Sequence, residues 1–132
     1  MNDVILFGKA LADPTRVRIL AALLNNELCV CELADALEMS QSTLSTHLQT
    51  LRQAGVLATT RRHKWINYSI EPSVRPALEA VMNHYADALK VDKRAQRDAE
   101  RIERRLAMRA DGCCVRGFGQ LDQEKKNEEL YV

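Results

Sequence analysis

Apolar residues recur at helical spacing through most of the chain and at strand spacing in one short stretch. Residues 4–12 form a first amphipathic segment, with Ile5, Leu6 and Leu11 available for burial. Asp13-Pro14-Thr15 then reads as an N-cap with proline at the first helical position. The helix it opens offers Val17, Ile19, Leu20, Leu23 and Leu24, and it stops at Asn25-Asn26. A third helix is expected over Val30–Leu37, and Ser40 caps a fourth over residues 41–54 that Gly55 closes. On that fourth helix Leu44, Leu48 and Leu51 make one narrow apolar stripe. Ser42, Ser45, Thr46 and Gln49 lie on the far side, polar, uncharged and short enough to approach a partner closely.

From Val56 the period changes to two. Residues 56–60 and Trp65–Ile70 read as paired strands, with Ile66, Tyr68 and Ile70 on one face and Arg61-Arg62-His63-Lys64 at the tip. Ser73 is the expected cap of a fifth helix. Its stripe of Val74, Ala77, Leu78, Val81, Met82, Tyr85 and Leu89 is broader than one small neighbour needs and reads as a dimer surface. Residues 90–110 are rich in Lys and Arg around a thin seam of Val91, Ala95, Ala99, Ile102 and Leu106, a helical extension either solvated or laid along a partner helix. The tail, 111–132, loses periodicity and is expected to be flexible. The domain reading is therefore 1–89 for the helices, hairpin and dimer surface, 90–110 for the extension, and 111–132 for a tail with a Cys pair.

Composition narrows the class. At 46% apolar and 28% charged residues the 132-residue chain is an ordinary globular mixture, and 5% aromatics favour a Leu/Ala-rich helical core. No apolar run approaches the roughly 20 residues that cross a bilayer, and no basic-then-apolar leader opens the chain, so a cytoplasmic location is expected. Net charge is +1, yet residues 39–70 hold no Asp or Glu while carrying His47, Arg52, Arg61, Arg62, His63 and Lys64. Such a local basic window suits a phosphate-contacting surface; a chance gap in a solvated face is the bland alternative.

Short helices, a capped helix with a polar outer face and a basic hairpin together spell a mostly α fold with a small β-hairpin: a winged helix-turn-helix, dimeric, with a C-terminal helical extension. Double-stranded DNA is the expected partner. Gln41, Ser42, Ser45, Thr46 and Gln49 would meet base edges, and Arg61, Arg62, His63 and Lys64 would hold phosphates. No Ser/His/Asp or Cys/His set, phosphate-cradling glycine loop or carboxylate pair suggests an enzyme.

The four cysteines fall in two pairs, Cys29/Cys31 and Cys113/Cys114. In a reducing compartment such pairs point to thiophilic metal binding or redox sensing before structural disulfides. A helix N-terminus is expected to lower the pKa of Cys29 or Cys31. On an intact helix residues i and i+2 point about 200° apart, so sharing one ion predicts that the first turn of the third helix stays open or unwinds. Two small buried residues without a role are the alternative.

The runs ADPTRVRIL, ELCVCELADAL, SQSTLSTHLQTLRQAGVL and RRHKWINYSI, in that order, resemble the ArsR/SmtB family of metal-responsive repressors over residues 13–89. Pairing CVC with KWINY is most similar to its arsenic-sensing members. The resemblance implies a homodimeric repressor of a metalloid-resistance operon, with no permanent cofactor, that leaves its operator when trivalent arsenic or antimony binds Cys29 and Cys31. It also implies a third cysteine three residues on, where this chain has Ala34. Cys113 and Cys114 are candidates for the missing sulfur, or for a separate two-sulfur site taking a methylated arsenical. Cd or Pb as inducer, and oxidants or persulfides acting on the thiols, keep the same fold. A metal-scavenging or protein-interaction module is the alternative from another class.

Overall fold

The computed structural model describes residues 1–110 and 117–122, so the expected roles of Cys113 and Cys114 lie outside the described residues. The chain runs α1 (Asn2–Leu11), α2 (Pro14–Asn25), β1 (Leu28–Cys29), α3 (Val30–Leu37), α4 (Gln41–Gln53), β2 (Leu57–Arg62), β3 (Trp65–Ile70), α5 (Arg75–His84), α6 (Ala86–Val91) and α7 (Lys93–Leu106). Asp13 caps α2 by accepting the Arg16 N–H at 3.0 Å, and the Arg16 guanidinium reaches back to the carbonyls of Lys9 and Ala10. That one residue therefore fixes both the start of α2 and the end of α1, where a lost cap alone costs about 1 kcal/mol.

Between α3 and α4 the backbone turns through Glu38, whose φ of 57° lies in the left-handed region, and Ser40 then caps α4 through the Thr43 N–H. Leu44, Leu48 and Leu51 of α4 are fully buried against Ile19, Leu20 and Leu23 of α2 and Leu33 and Leu37 of α3. Gly55 follows α4 at φ +75°, and the chain enters the hairpin. Its two strands pair in register from Leu57↔Ile70 to Arg62↔Trp65, so the turn is only His63-Lys64 and the strand extends further than the expected tip. The hairpin is also not alone. β1 pairs antiparallel with β3, Leu28 opposite Tyr68 and Cys29 opposite Asn67, making a three-stranded sheet of order β1-β3-β2. Two residues of strand are too short for a period-two signal to show. The expected face of Ile66, Tyr68 and Ile70 holds only in part: Ile70 is buried and Tyr68 half-buried, while Ile66, out along the wing, is 53% exposed.

Three further expectations are corrected. In the stripe read as a dimer surface, Leu78 and Met82 are buried in the chain's own core, with Val74 and Leu89 packed against it. Ser73 does not cap α5; Val74 precedes the helix without a side-chain cap, and Pro76 sits in its first turn. The helix is not continuous to Leu89 either, because it breaks at Tyr85 before α6 resumes. At Asp92 the backbone becomes extended, the Asp92 carboxylate caps Ala95 N–H at 2.9 Å, and α7 turns back along α3 in antiparallel sense. Arginine holds it there. Arg97 grips Glu38 with two 2.7 Å bonds, Arg101 donates to the carbonyls of Asp35 and Ala36, and the buried Arg105 meets Asp35 at 2.9 Å. Across the adjoining face Arg18 of α2 pairs with Asp98 at 2.7 Å. Acids at 32, 35 and 38 thus form a stripe along α3 and its C-cap that arginines of α7 and Arg109 just beyond it cover.

Candidate functional site

On the outer side of α4, Gln41, Ser42, Ser45, Thr46 and Gln49 lie toward solvent, as do Arg61, Arg62, His63 and Lys64 along the wing. The leucine stripe dictates this: with Leu44, Leu48 and Leu51 turned inward, the opposite face can only point to solvent. Thr46 donates its hydroxyl proton to the Ser42 carbonyl at 3.0 Å, and Thr50 does the same to Thr46 at 3.1 Å. Each therefore turns a methyl group and oxygen lone pairs outward. Arg52, already part of the basic window, shares a depression with Ser45, Gln49, Gln53 and Tyr68 beside β3, which extends the polar face by Gln53. Among the wing residues Arg62 is committed within the chain, reaching Glu27 at 3.2 and 3.3 Å, and Lys64 stands over the Trp65 ring at 4.9 Å.

Behind the wing lies a second, smaller cluster made by Cys29, Cys31 and Trp65. The two thiols are buried and their sulfurs are 2.8 Å apart. No unwinding of α3 produces this. Cys29 is not a helical residue but the N-cap, extended at φ −85° and ψ 168° within β1, while Cys31 occupies the second helical position. An N-cap side chain folds over the first turn, so the pair converges although a helical i, i+2 pair would diverge. The i, i+2 divergence that argued for an opened first turn does not arise here, because Cys29 lies outside the helix.

Glu32 fixes that geometry. Its Oε1 accepts the Cys29 N–H at 3.0 Å, while the Glu32 N–H meets the Cys29 sulfur, a capping box with a thiol in place of the usual hydroxyl. The Glu32 carboxylate is fully buried and held by Arg109, Nε at 2.6 Å from Oε2 and Nη2 at 2.8 Å from Oε1. Arg109 also donates to the Glu27 carbonyl. Burial opposes ionisation of Glu32, but Arg109 and the Cys29 N–H outweigh it and hold the carboxyl below its ordinary range. For Cys29 the direction is opposite to that expected of a helix N-terminus. Its hydrogen bond with Cys31 and its burial push the thiol well above the ordinary value, with the nearby Glu32 charge adding to the effect. At neutral pH Cys29 is a thiol, and a soft cation that binds it must displace the proton.

Asn67 completes the surroundings. It stands directly opposite Cys29 across β1 and β3, so both side chains project from the same face of the sheet, the face that also carries Trp65. Its side chain is buried, and among the described residues its Oδ1 has no hydrogen-bond partner. Among the described residues no group of three or more Cys, His, Asp or Glu side chains is placed to hold a metal ion, and Ala34 is packed in the core. Sequence reasoning missed Glu32, Arg109 and Asn67. The acid stripe on α3 and the arginine run of the extension were visible separately, but only the reversal at Asp92 brings them together.

Comparison with known proteins agrees with this architecture. Residues 13–59 match the model for bacterial regulatory proteins of the arsR family. The arsenic resistance transcriptional regulator ArsR1 of Pseudomonas putida is 44% identical over 81 residues, covering 61% of this chain and 63% of that relative, so the match spans under two thirds of its length. A cadmium resistance transcriptional regulatory protein, the CadC homolog of Staphylococcus aureus, is 35% identical over 91 residues, covering 67% of this chain and 75% of the relative. In solved structures, the homodimeric winged helix-turn-helix DNA-binding domain of a possible ArsR-family regulator from Mycobacterium bovis superposes with a TM-score of 0.61 at 29% identity, covering 69% of this chain and 85% of that one. On fold, motif order and these matches together, the chain belongs to the arsR family of bacterial regulatory proteins.

Proposed function

We propose that this protein is a homodimeric transcriptional repressor of a metalloid-resistance operon, released from its operator when trivalent arsenic or antimony binds Cys29 and Cys31. The observation that carries the reading is the convergence of the two sulfurs, 2.8 Å apart, at the joint between wing and helix-turn-helix. Cys29 belongs to β1, which pairs with β3 of the wing, while Cys31 belongs to α3, which packs against α4. A ligand joining the two sulfurs therefore acts where both DNA-facing elements are anchored. A pyramidal trivalent arsenic sets the separation of its two sulfurs through its own S–As–S angle, so loading resets the spacing of β1 and α3 and favours a wing-to-helix arrangement other than the one that fits DNA. Gln41, Ser42, Ser45, Thr46 and Gln49 read base edges, while Arg61, Arg62, His63 and Lys64 hold phosphates.

Apolar side chains left in solvent supply a surface for the second subunit: Val4, Ile5 and Leu6 on α1, Tyr85 between α5 and α6, and Val91. The homodimeric state of the Mycobacterium bovis neighbour supports that use. Cadmium or lead is the second reading, favoured by the similarity to the staphylococcal cadmium regulator, since thiolates serve both metals. A reporter gene behind the operon's own promoter tests the proposal in cells. Repression that arsenite relieves in the wild type and fails to relieve in Cys29→Ser/Cys31→Ser supports it; relief by cadmium alone selects the second reading. The Cys113→Ser/Cys114→Ser variant shows whether the tail pair takes part.

A further inference from the structure

Three features have no part in the proposed function: an apolar groove between α2 and α7, the ladder of α7 arginines laid along α3, and the Asn67 amide oxygen left without a partner among the described residues. The third goes furthest. A buried amide oxygen without a partner costs about 1–3 kcal/mol, and a fold keeps such a group where something else satisfies it. Asn67 is 7% exposed, lies opposite Cys29 in the β1–β3 pairing, and shares its face with Trp65, which packs on both cysteines. Its Oδ1 has no partner among the described residues. An acceptor, not a donor, is thus left open on the sheet face that carries Cys29 and Trp65.

Resting on the reading of Cys29 and Cys31 as the ligand site, we propose that Asn67 is the third binding residue, and that it recognises a hydroxyl group retained by a ligand held on two sulfurs. The chemistry balances without any oxidant. Arsenous acid, As(OH)3, reacts with the two thiols to give (RS)2As–OH and two molecules of water. Two As–O bonds break, two As–S bonds form, each thiol proton leaves with a hydroxide, and arsenic stays trivalent. One As–OH remains, and its proton is donated to Asn67 Oδ1. A trivalent arsenical in which a methyl group replaces that hydroxyl has nothing to donate, so the site discriminates between the two by one hydrogen bond.

Calorimetric titration of the full-length, reduced protein with arsenite and with methylarsonous acid tests this. Asn67→Leu is expected to weaken arsenite binding about tenfold, the cost of one buried hydrogen bond, while methylarsonous acid binds as before or more tightly. Comparing two ligands on one variant cancels any general damage, and Asn67→Ala gives the same comparison if the leucine variant does not fold. Equal weakening of both ligands, or of neither, overturns the proposal. Arsenic X-ray absorption on the loaded wild type is a second readout: two sulfurs and one oxygen are expected, and three sulfurs contradict it. Wild-type protein that binds neither arsenical refutes the arsenic reading itself, and this inference with it.

Discussion

Arg109 holds both carboxylate oxygens of Glu32, at 2.6 and 2.8 Å, and Glu32 in turn holds the backbone of Cys29. A residue beyond the last helix thus reaches the thiol pair through a single buried carboxylate. Replacing Arg109 by Ala leaves Glu32 buried and unpaired. Breaking a buried ion pair from one side costs on the order of 3 kcal/mol, toward the low end here because Arg109 keeps some contact with water. Chemical denaturation should show that loss for Arg109→Ala, and most of it should return in the double variant Arg109→Ala/Glu32→Gln, where no charge is stranded. A double variant as unstable as the single one would mean that Arg109 acts through packing instead.

Acid should loosen the clamp from its other end. The Arg97 guanidinium, with Arg101 and Arg94 behind it, lowers the Glu38 carboxyl to about 2 from an ordinary 4.5. A group with a depressed folded-state pKa contributes stability above its unfolded value, and that contribution disappears as pH falls from 4.5 toward 2. Urea melts across that window should therefore fall less steeply for Glu38→Gln than for the wild type. Both partners are partly solvated, so added salt should shrink the difference.

Alkali acts on the thiol instead. Cys29 is raised, so below the ordinary thiol value of 9.0 neither the folded nor the unfolded state is ionised. Above it the unfolded chain loses the proton first, and the wild type should lose stability with rising pH relative to Cys29→Ala. Parallel stability curves for the two proteins between pH 8 and 10 (roughly the span about the ordinary thiol pKa) would contradict a raised Cys29.

On DNA, the wing and the recognition helix should separate by their salt behaviour. Arg61→Ala and Lys64→Ala should weaken specific and random duplexes alike, each lowering the salt slope by about 0.9. Gln49→Ala should instead cost about 1–3 kcal/mol on the operator and little on random sequence. Arg62 is distinguishable from its neighbours because Glu27 already neutralises it. Glu27→Gln should tighten binding to any duplex, and unchanged binding would show that Arg62 does not reach phosphate.

Much of this was legible in the chain. Asp13-Pro14 and Ser40 announced the starts of α2 and α4 because capping is local chemistry, and the leucines of α4 announced which face would be outward because helical periodicity is local geometry. The convergence of Cys29 and Cys31 was not legible, since it depends on Cys29 belonging to a two-residue strand that only pairing with Asn67 defines. Ser73 misled for a related reason: a good capping residue stood one position too early for a helix entered through Val74. The site's supports, Glu32 with Arg109 and Asn67 with Cys29, are long-range pairs that no window of sequence contains.

Fluorescence anisotropy of the reduced protein on a duplex from its own upstream region, titrated with arsenite, tests the central claim most directly. Tight, salt-sensitive binding should be lost near one arsenite per subunit, and a Cys29→Ser/Cys31→Ser protein should bind the same duplex and stay bound. Binding that arsenite leaves unchanged in the wild type, or releases equally in the double variant, would contradict it.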